Sequence, residues 1–176
     1  LLLASLPVAA QNSLQLSPLF GDHMVLQRGQ PIRVWGSATP GDTVRVHFRG
    51  RQAQAKANAQ GRWLAQLPPS AAGGPFELRV EGSRALSLRD VMVGDVWLAS
   101  GQSNMEWSVA DAMDAAAEVA AAQHPNIRHI KVAHHAALQP AGDIATTAGW
   151  RRAEPAHVGS FSAAAYYFAR QVHRAT

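Results

Sequence analysis

Ser103 stands in the stretch GDVWLASGQSNMEW, Gly94 to Trp107, between an apolar run and a polar, turn-prone cluster. An apolar strand, the turn Gly101-Gln102-Ser103-Asn104 and a helix-compatible segment would set its hydroxyl at the carboxyl end of a strand, where ligands gather in α/β sheets. Free N–H groups in the first turn of the following helix could stabilise an oxyanion forming beside that hydroxyl, and Gly101 allows the tight turn. The chemistry would be nucleophilic acyl transfer. The same pattern also suits an N-cap serine that spends its hydroxyl on one of those N–H groups. Local pattern leaves both readings open.

A serine hydroxyl attacks only when a base takes its proton, so histidines near a carboxylate matter. Glu154-Pro155-Ala156-His157 has that spacing but falls in an expected loop with a rigid proline. His134 and His135 suggest a metal, yet adjacent side chains on an extended segment point apart, and no metal site is expected. His47 alternates with arginines as an outward strand residue, and His23 reads as structural. Gln102, Asn104 and Trp107 are the candidate substrate-binding residues, with Glu106 also flanking the serine. Trp97 reads as core and Asp95 as a buried turn acceptor.

The elements that must position these residues fall into two kinds. From Leu14 to Leu88 short alternating runs are separated by Gly/Pro turns, as in TVRVHFRG, where Val44, Val46 and Phe48 share one face. This regular spacing predicts an antiparallel β-sandwich. After Val91 the alternation fades. VMVGDVWLAS predicts a strand buried on both faces, Asp111–Gln123 an Ala-rich helix and IRHIKVA a second strand, together the start of an α/β unit with a parallel sheet. A last helix from Phe161 would bury Phe161, Ala165, Phe168 and Val172, after a long loop over 134–159. The expected division is a residual signal peptide at 1–12, a sandwich at 13–90 and an incomplete α/β portion at 91–176.

Composition narrows the function classes. The net charge of +4 is spread without a basic run longer than Arg151-Arg152, which argues against nucleic-acid binding. The absence of Cys excludes thiol catalysis and fits a periplasmic or secreted protein without disulfides. LLLASLPVAAQN resembles the end of a secretory signal, with Val8 and Ala10 at the small-residue positions of a cleavage site. Its apolar run is too short to span a bilayer.

The whole run GDVWLASGQSNMEW resembles the nucleophile block of the sialate O-acetylesterase family, carbohydrate esterases of the SGNH-hydrolase type with a flavodoxin-like α/β fold. LSPLFGDHMVLQRGQPIRVWGSATPGDTVRV is similar to the opening of that family's β-sandwich, and FSAAAYYFARQVH to a later helix. The resemblance implies that Ser103 is the nucleophile, its own N–H one oxyanion donor, and an O-acetylated sugar or glycan the substrate, with no cofactor. It also implies that the catalytic His and Asp, and further oxyanion donors, come from segments absent here. On that reading the chain is an N-terminal fragment, inactive alone and prone to associate through an unpaired sheet edge. The competing readings are a noncatalytic carbohydrate-binding module and a structural domain.

Overall fold

Tight turns between alternating runs divide the first half of the chain into eight strands. The structure is a computed structural model and describes residues 13–175; the expected signal remnant at 1–12 lies outside the described residues. The strands are β1 (Gln15–Leu16), β2 (Val25–Gln27), β3 (Ile32–Ser37), β4 (Thr43–Phe48), β5 (Arg51–Lys56), β6 (Arg62–Leu67), β7 (Gly73–Glu81) and β8 (Ala85–Gly94). An antiparallel sheet has the order β1-β3-β6, and a mixed sheet the order β2-β8-β7-β4-β5, with β2 and β8 parallel. The turn into β6 shows how local sequence sets register. Asn58 Oδ1 accepts from the N–H groups of Gln60 (3.0 Å) and Arg62 (2.9 Å). Gly61 takes φ +73°, where a Cβ would lie 2.7 Å from the Ala38 carbonyl oxygen.

Inward residues of both sheets join one buried cluster, including Ile32, Val34, Trp63, Ala65 and Leu67 from the first sheet and Val44, Val46, Phe48, Leu78 and Val80 from the second. The alternation expected for β4 and for Trp63 is therefore observed. Each fully buried side chain of this size contributes about 1.5–3 kcal/mol.

The alternation breaks once, in β8. Leu86 and Leu88 face the core, but so do Val91 and Val93, because Asp90 adopts φ +55° and the pairing with β7 slips between Phe76 and Leu78. This bulge turns the Asp90 carboxylate out of the strand's alternation and onto three cationic or protonatable side chains. His23 Nδ1 lies 2.6 Å from Asp90 Oδ2, Arg128 Nη1 and Nη2 donate to the carboxylate at 2.8 and 3.1 Å, and Arg152 donates at 2.9 and 2.5 Å. Arg128, only 3% exposed, also donates to the carbonyls of Pro125, His23 and Asp90. Burial acts to raise the Asp90 pKa, but the hydrogen bonds from His23, Arg152 and Arg128 outweigh it and hold the carboxyl at about 2.

Arg128 and Arg152 belong to β9 (His124–His129) and β10 (Arg151–Ala153), so this cluster joins the sheet pair to the rest of the chain. A second buried cluster forms there from Val109, Ala122, Ile127, Ala153, Val158, Phe161, Ala163 and Tyr166. It is closed by α1 (Ser103–Glu106), a 3-10 turn (Val109–Asp111), α2 (Ala115–Ala120), α3 (Pro155–Val158) and α4 (Ala163–Ala175). His129 stacks on Phe161 with ring centroids 4.4 Å apart; burial, aided by the Lys131 charge, pushes its pKa down to about 4. Trp150 crosses into the first core, its Nε1–H donating to the Leu19 carbonyl at 2.8 Å.

Five expectations for this half differ from what is observed. The strand expected over VMVGDVWLAS ends at Gly94, and β9 pairs antiparallel with β10 instead of entering a parallel sheet. A strand buried on both faces needs neighbours, and among the described residues no ladder flanks 95–100. The Ala-rich helix spans only Ala115–Ala120, because Asp114 is left-handed (φ +56°) and cannot continue it backward. The loop at 134–159 contains β10 and α3. Along α4 the buried residues are Ala163 and Tyr166, whereas Phe168 is exposed. No helix among the described residues is long and apolar enough to cross a membrane.

Acid should weaken this fold in two stages. Unfolded His129 takes its proton near pH 6.5 and folded His129 only near 4, so protons favour unfolding and stability falls as pH drops through that window. Asp90 contributes a further loss of about 2 kcal/mol as pH falls from 3.8 towards 2. Asp90→Asn leaves the Arg128 guanidinium buried without a counter-charge and is expected to cost about 3–5 kcal/mol. Denaturant melts from pH 7 to 2 check all three; an Asp90→Asn loss under about 1 kcal/mol would contradict the cluster's role.

Candidate functional site

The apolar segment after β8 leads into a polar turn, and the turn into the single helical turn α1. Ser103 is the first helical residue; the cap position before it belongs to Gln102 (φ −109°), and no side chain caps the turn. The side chain of Ser103 is exposed. The hydroxyl is thus not spent on the backbone, and the Ser103 and Asn104 amides, first in the turn, have no intrahelical acceptor. The next amide, of Met105, donates to the Gln102 carbonyl at 2.9 Å.

Downstream the turn is held firmly. Ala163 N–H donates to the Trp107 carbonyl at 2.8 Å, Val109 N–H to Phe161 at 3.0 Å, and Ser162 Oγ to Met105 Sδ at 3.4 Å. These bonds dock α1 on the start of α4. Upstream its root is held where Val96 N–H donates to Gln27 Oε1 (2.9 Å) and Arg28 Nε to Asp95 Oδ1 (2.8 Å). Trp97 is 62% exposed and Leu98 91%, so Trp97 is not core; it meets Phe168 edge to face at 5.1 Å. Asp95 is exposed and ion-paired, not a buried acceptor.

The candidate substrate contacts Gln102 and Asn104 are exposed beside Ser103. Trp107 is 57% exposed, and its Nε1–H donates to the Asp111 carbonyl at 2.9 Å, which fixes the ring and leaves its surface open. On the far end of α1, Glu106 Oε1 lies 3.2 Å from His134 Nε2. Sequence spacing carried no sign of that pair, whose members come together through the fold.

No histidine hydrogen-bonds Ser103 among the described residues. Glu154 does not orient His157: its carboxylate lies 3.6 Å from Arg152 Nη1, and it touches His157 only through backbone. His47 lies 3.3 Å from Glu81, and His23 serves the Asp90 cluster. Among the described residues no three His, Cys, Asp or Glu side chains converge as metal ligands.

With this geometry in place, the chain can be compared with known proteins. A sialate O-acetylesterase from Pongo abelii is 33% identical over 171 residues, covering 85% of this chain and 32% of that protein. The human protein of the same name is 32% identical with the same coverage. The crystal structure of a carbohydrate acetylesterase from Xanthomonas citri superposes with a TM-score of 0.88 at 44% identity, covering 92% of this chain and 38% of that one. No protein-family model matches the chain. The chain belongs to the sialate O-acetylesterase family, and it spans about a third of the length of the curated relatives it matches.

Because Gln102 and not Ser103 occupies the cap position, Ser103→Ala is expected to change the unfolding free energy by less than about 0.5 kcal/mol. A lost cap would cost about 1 kcal/mol. Urea denaturation of the two proteins decides between them.

Proposed function

We propose that Ser103 is the nucleophile of a carbohydrate O-acetylesterase, with an acetylated sugar such as O-acetyl sialic acid as substrate. The observation that carries this reading is the exposed Ser103 hydroxyl, free of any capping duty, on a turn whose first amides have no acceptor, in a chain whose relatives are named sialate O-acetylesterases. In this mechanism Ser103 Oγ attacks the acetyl carbonyl carbon as a base takes its proton. The carbonyl oxygen becomes an oxyanion held in part by the Ser103 N–H. The ester bond to the sugar breaks and the sugar oxygen leaves with the proton. Water then cleaves the acetyl-serine and restores the hydroxyl. Gln102, Asn104 and Trp107 flank the sugar, Trp107 by offering its ring face. The chemistry requires neither metal nor organic cofactor.

The base is proposed to come from polypeptide outside these 176 residues, as the family resemblance implies, so that this stretch alone has little esterase activity. Domain organisation enters the same proposal: a β-sandwich over 13–90 and part of an SGNH-type α/β hydrolase over 91–176, exported to the periplasm or beyond through the signal at 1–12.

A fluorophosphonate probe with peptide mass spectrometry tests the reading. In a protein that joins these residues to a His-bearing family segment, Ser103 is expected to label rapidly and Ser103→Ala not at all. The 176 residues alone should label far more slowly, since losing the base costs on the order of a million-fold in turnover in well-studied triads. Labelling at another serine would remove the nucleophile assignment. Equal rates in the two proteins would place a base within this chain, with His134 the first to substitute.

A further inference from the structure

The sheet pair carries a cleft of about 550 Å³ between the Gln27–Gly29 turn and the Pro69–Ala72 loop, with Asp95 among its lining residues. None of its lining residues belongs to the Ser103 turn. Both walls are pinned. Gly29 N–H donates to the Ser70 carbonyl at 3.1 Å, and Arg28 N–H to Gly94 at 2.8 Å. Arg49 Nη1 donates to Ser70 Oγ (2.6 Å) and to the Ala71 carbonyl (3.0 Å), with its guanidinium 4.3 Å from the Phe76 ring centre. Walls fixed in this way demand little ordering when a ligand settles against them.

The charged groups of the cleft are the Arg28–Asp95 pair; the other polar side chains lining it, Gln27 and Ser70, are engaged with Arg28, Val96, Arg49 and Ala71. Arg28 Nε donates to Asp95 Oδ1 at 2.8 Å, which leaves the two Nη groups and Asp95 Oδ2 without hydrogen bonds among the described residues. Unused donors therefore stand beside an unused acceptor, while Pro69, Ala71 and Ala72 supply an apolar wall. Vicinal hydroxyls on a sugar ring match this arrangement, since one O–H can donate to the carboxylate while its neighbour's oxygen accepts from the guanidinium. The C–H face of the ring suits the apolar wall. Asp95 repels an anionic ligand and Arg28 a cationic one.

We propose that this cleft is a binding subsite for a neutral saccharide, apart from the Ser103 turn. It stands whatever Ser103 does, because the test reads binding and not hydrolysis. The isotopically labelled 176-residue chain is titrated with N-acetylglucosamine, galactose and maltose, and separately with glucuronate, and amide shifts are followed by NMR. At least one neutral sugar is expected to bind with a dissociation constant of about 1–10 mM, shifting the amides of Gly29, Ala71, Ala72 and Asp95. Glucuronate should bind about tenfold more weakly. Arg28→Ala and Asp95→Ala, both at exposed positions, should each weaken the neutral sugar about tenfold. Ala72→Trp, which fills the cleft from the opposite wall, should abolish binding with the melting temperature unchanged. Absence of saturable shifts with all three neutral sugars, shifts confined to other residues, or glucuronate binding as tightly would overturn the proposal.

Discussion

The Asp90 carboxylate holds the two buried clusters of this protein together. Burying a guanidinium as completely as Arg128 is tolerated only when its donors are satisfied and its charge is met. Asp90 and the carbonyls of Pro125, His23 and Asp90 itself do both. The carboxylate reaches that position because β8 bulges at its own residue, and His23, left-handed at φ +67°, closes the third side. The cluster thus converts a local irregularity in one strand into the join between the sheet pair and the β9–β10 ribbon. Trp150 adds a second, largely apolar link on the same side.

This join governs how the serine turn is presented. β9 and β10 support the cluster around Phe161 and Ala163, and the backbone of that segment in turn holds Val109 and Trp107. The chain of support runs from Asp90 through Arg128 and Phe161 to the downstream side of α1. On the upstream side the Arg28–Asp95 and Gln27–Val96 contacts hold the root and Trp97 touches Phe168, while Val96, Trp97 and Leu98 remain largely exposed.

What could be read in advance divides along one physical line. The alternation of Val44, Val46 and Phe48 and the turn at Asn58–Gly61 are short-range signals, and both appear where expected. Trp97, the β9–β10 pairing and the buried stripe of α4 differ from the sequence pattern because each depends on what lies alongside in space. Trp97 is apolar in an apolar run, yet no strand among the described residues covers it. Phe168 points out because Tyr166 and Ala163 face β9 and the Phe161 ring instead. The Asp90 cluster was invisible for the same reason: its partners stand 67, 38 and 62 residues away, and only the bulge aims the carboxylate at them. Asp95 and Arg28, also 67 apart, form an exposed pair that no periodicity announces.

Ser103 illustrates how one residue's shift along a helix start changes its chemistry. At the cap position a serine oxygen accepts from the second or third helical amide and becomes part of the scaffold. One residue later it projects from the first turn, its hydroxyl has no capping duty, and its own amide has no intrahelical acceptor. Gln102 takes the cap position with extended backbone and makes no side-chain bond there, so the turn forgoes the stabilisation a side-chain cap would give. The docking of Met105, Trp107 and Val109 against 161–163 offsets that omission. A turn stabilised from behind while its leading hydroxyl and amides stay unsatisfied is the kind of scaffold the nucleophilic role proposed for Ser103 requires.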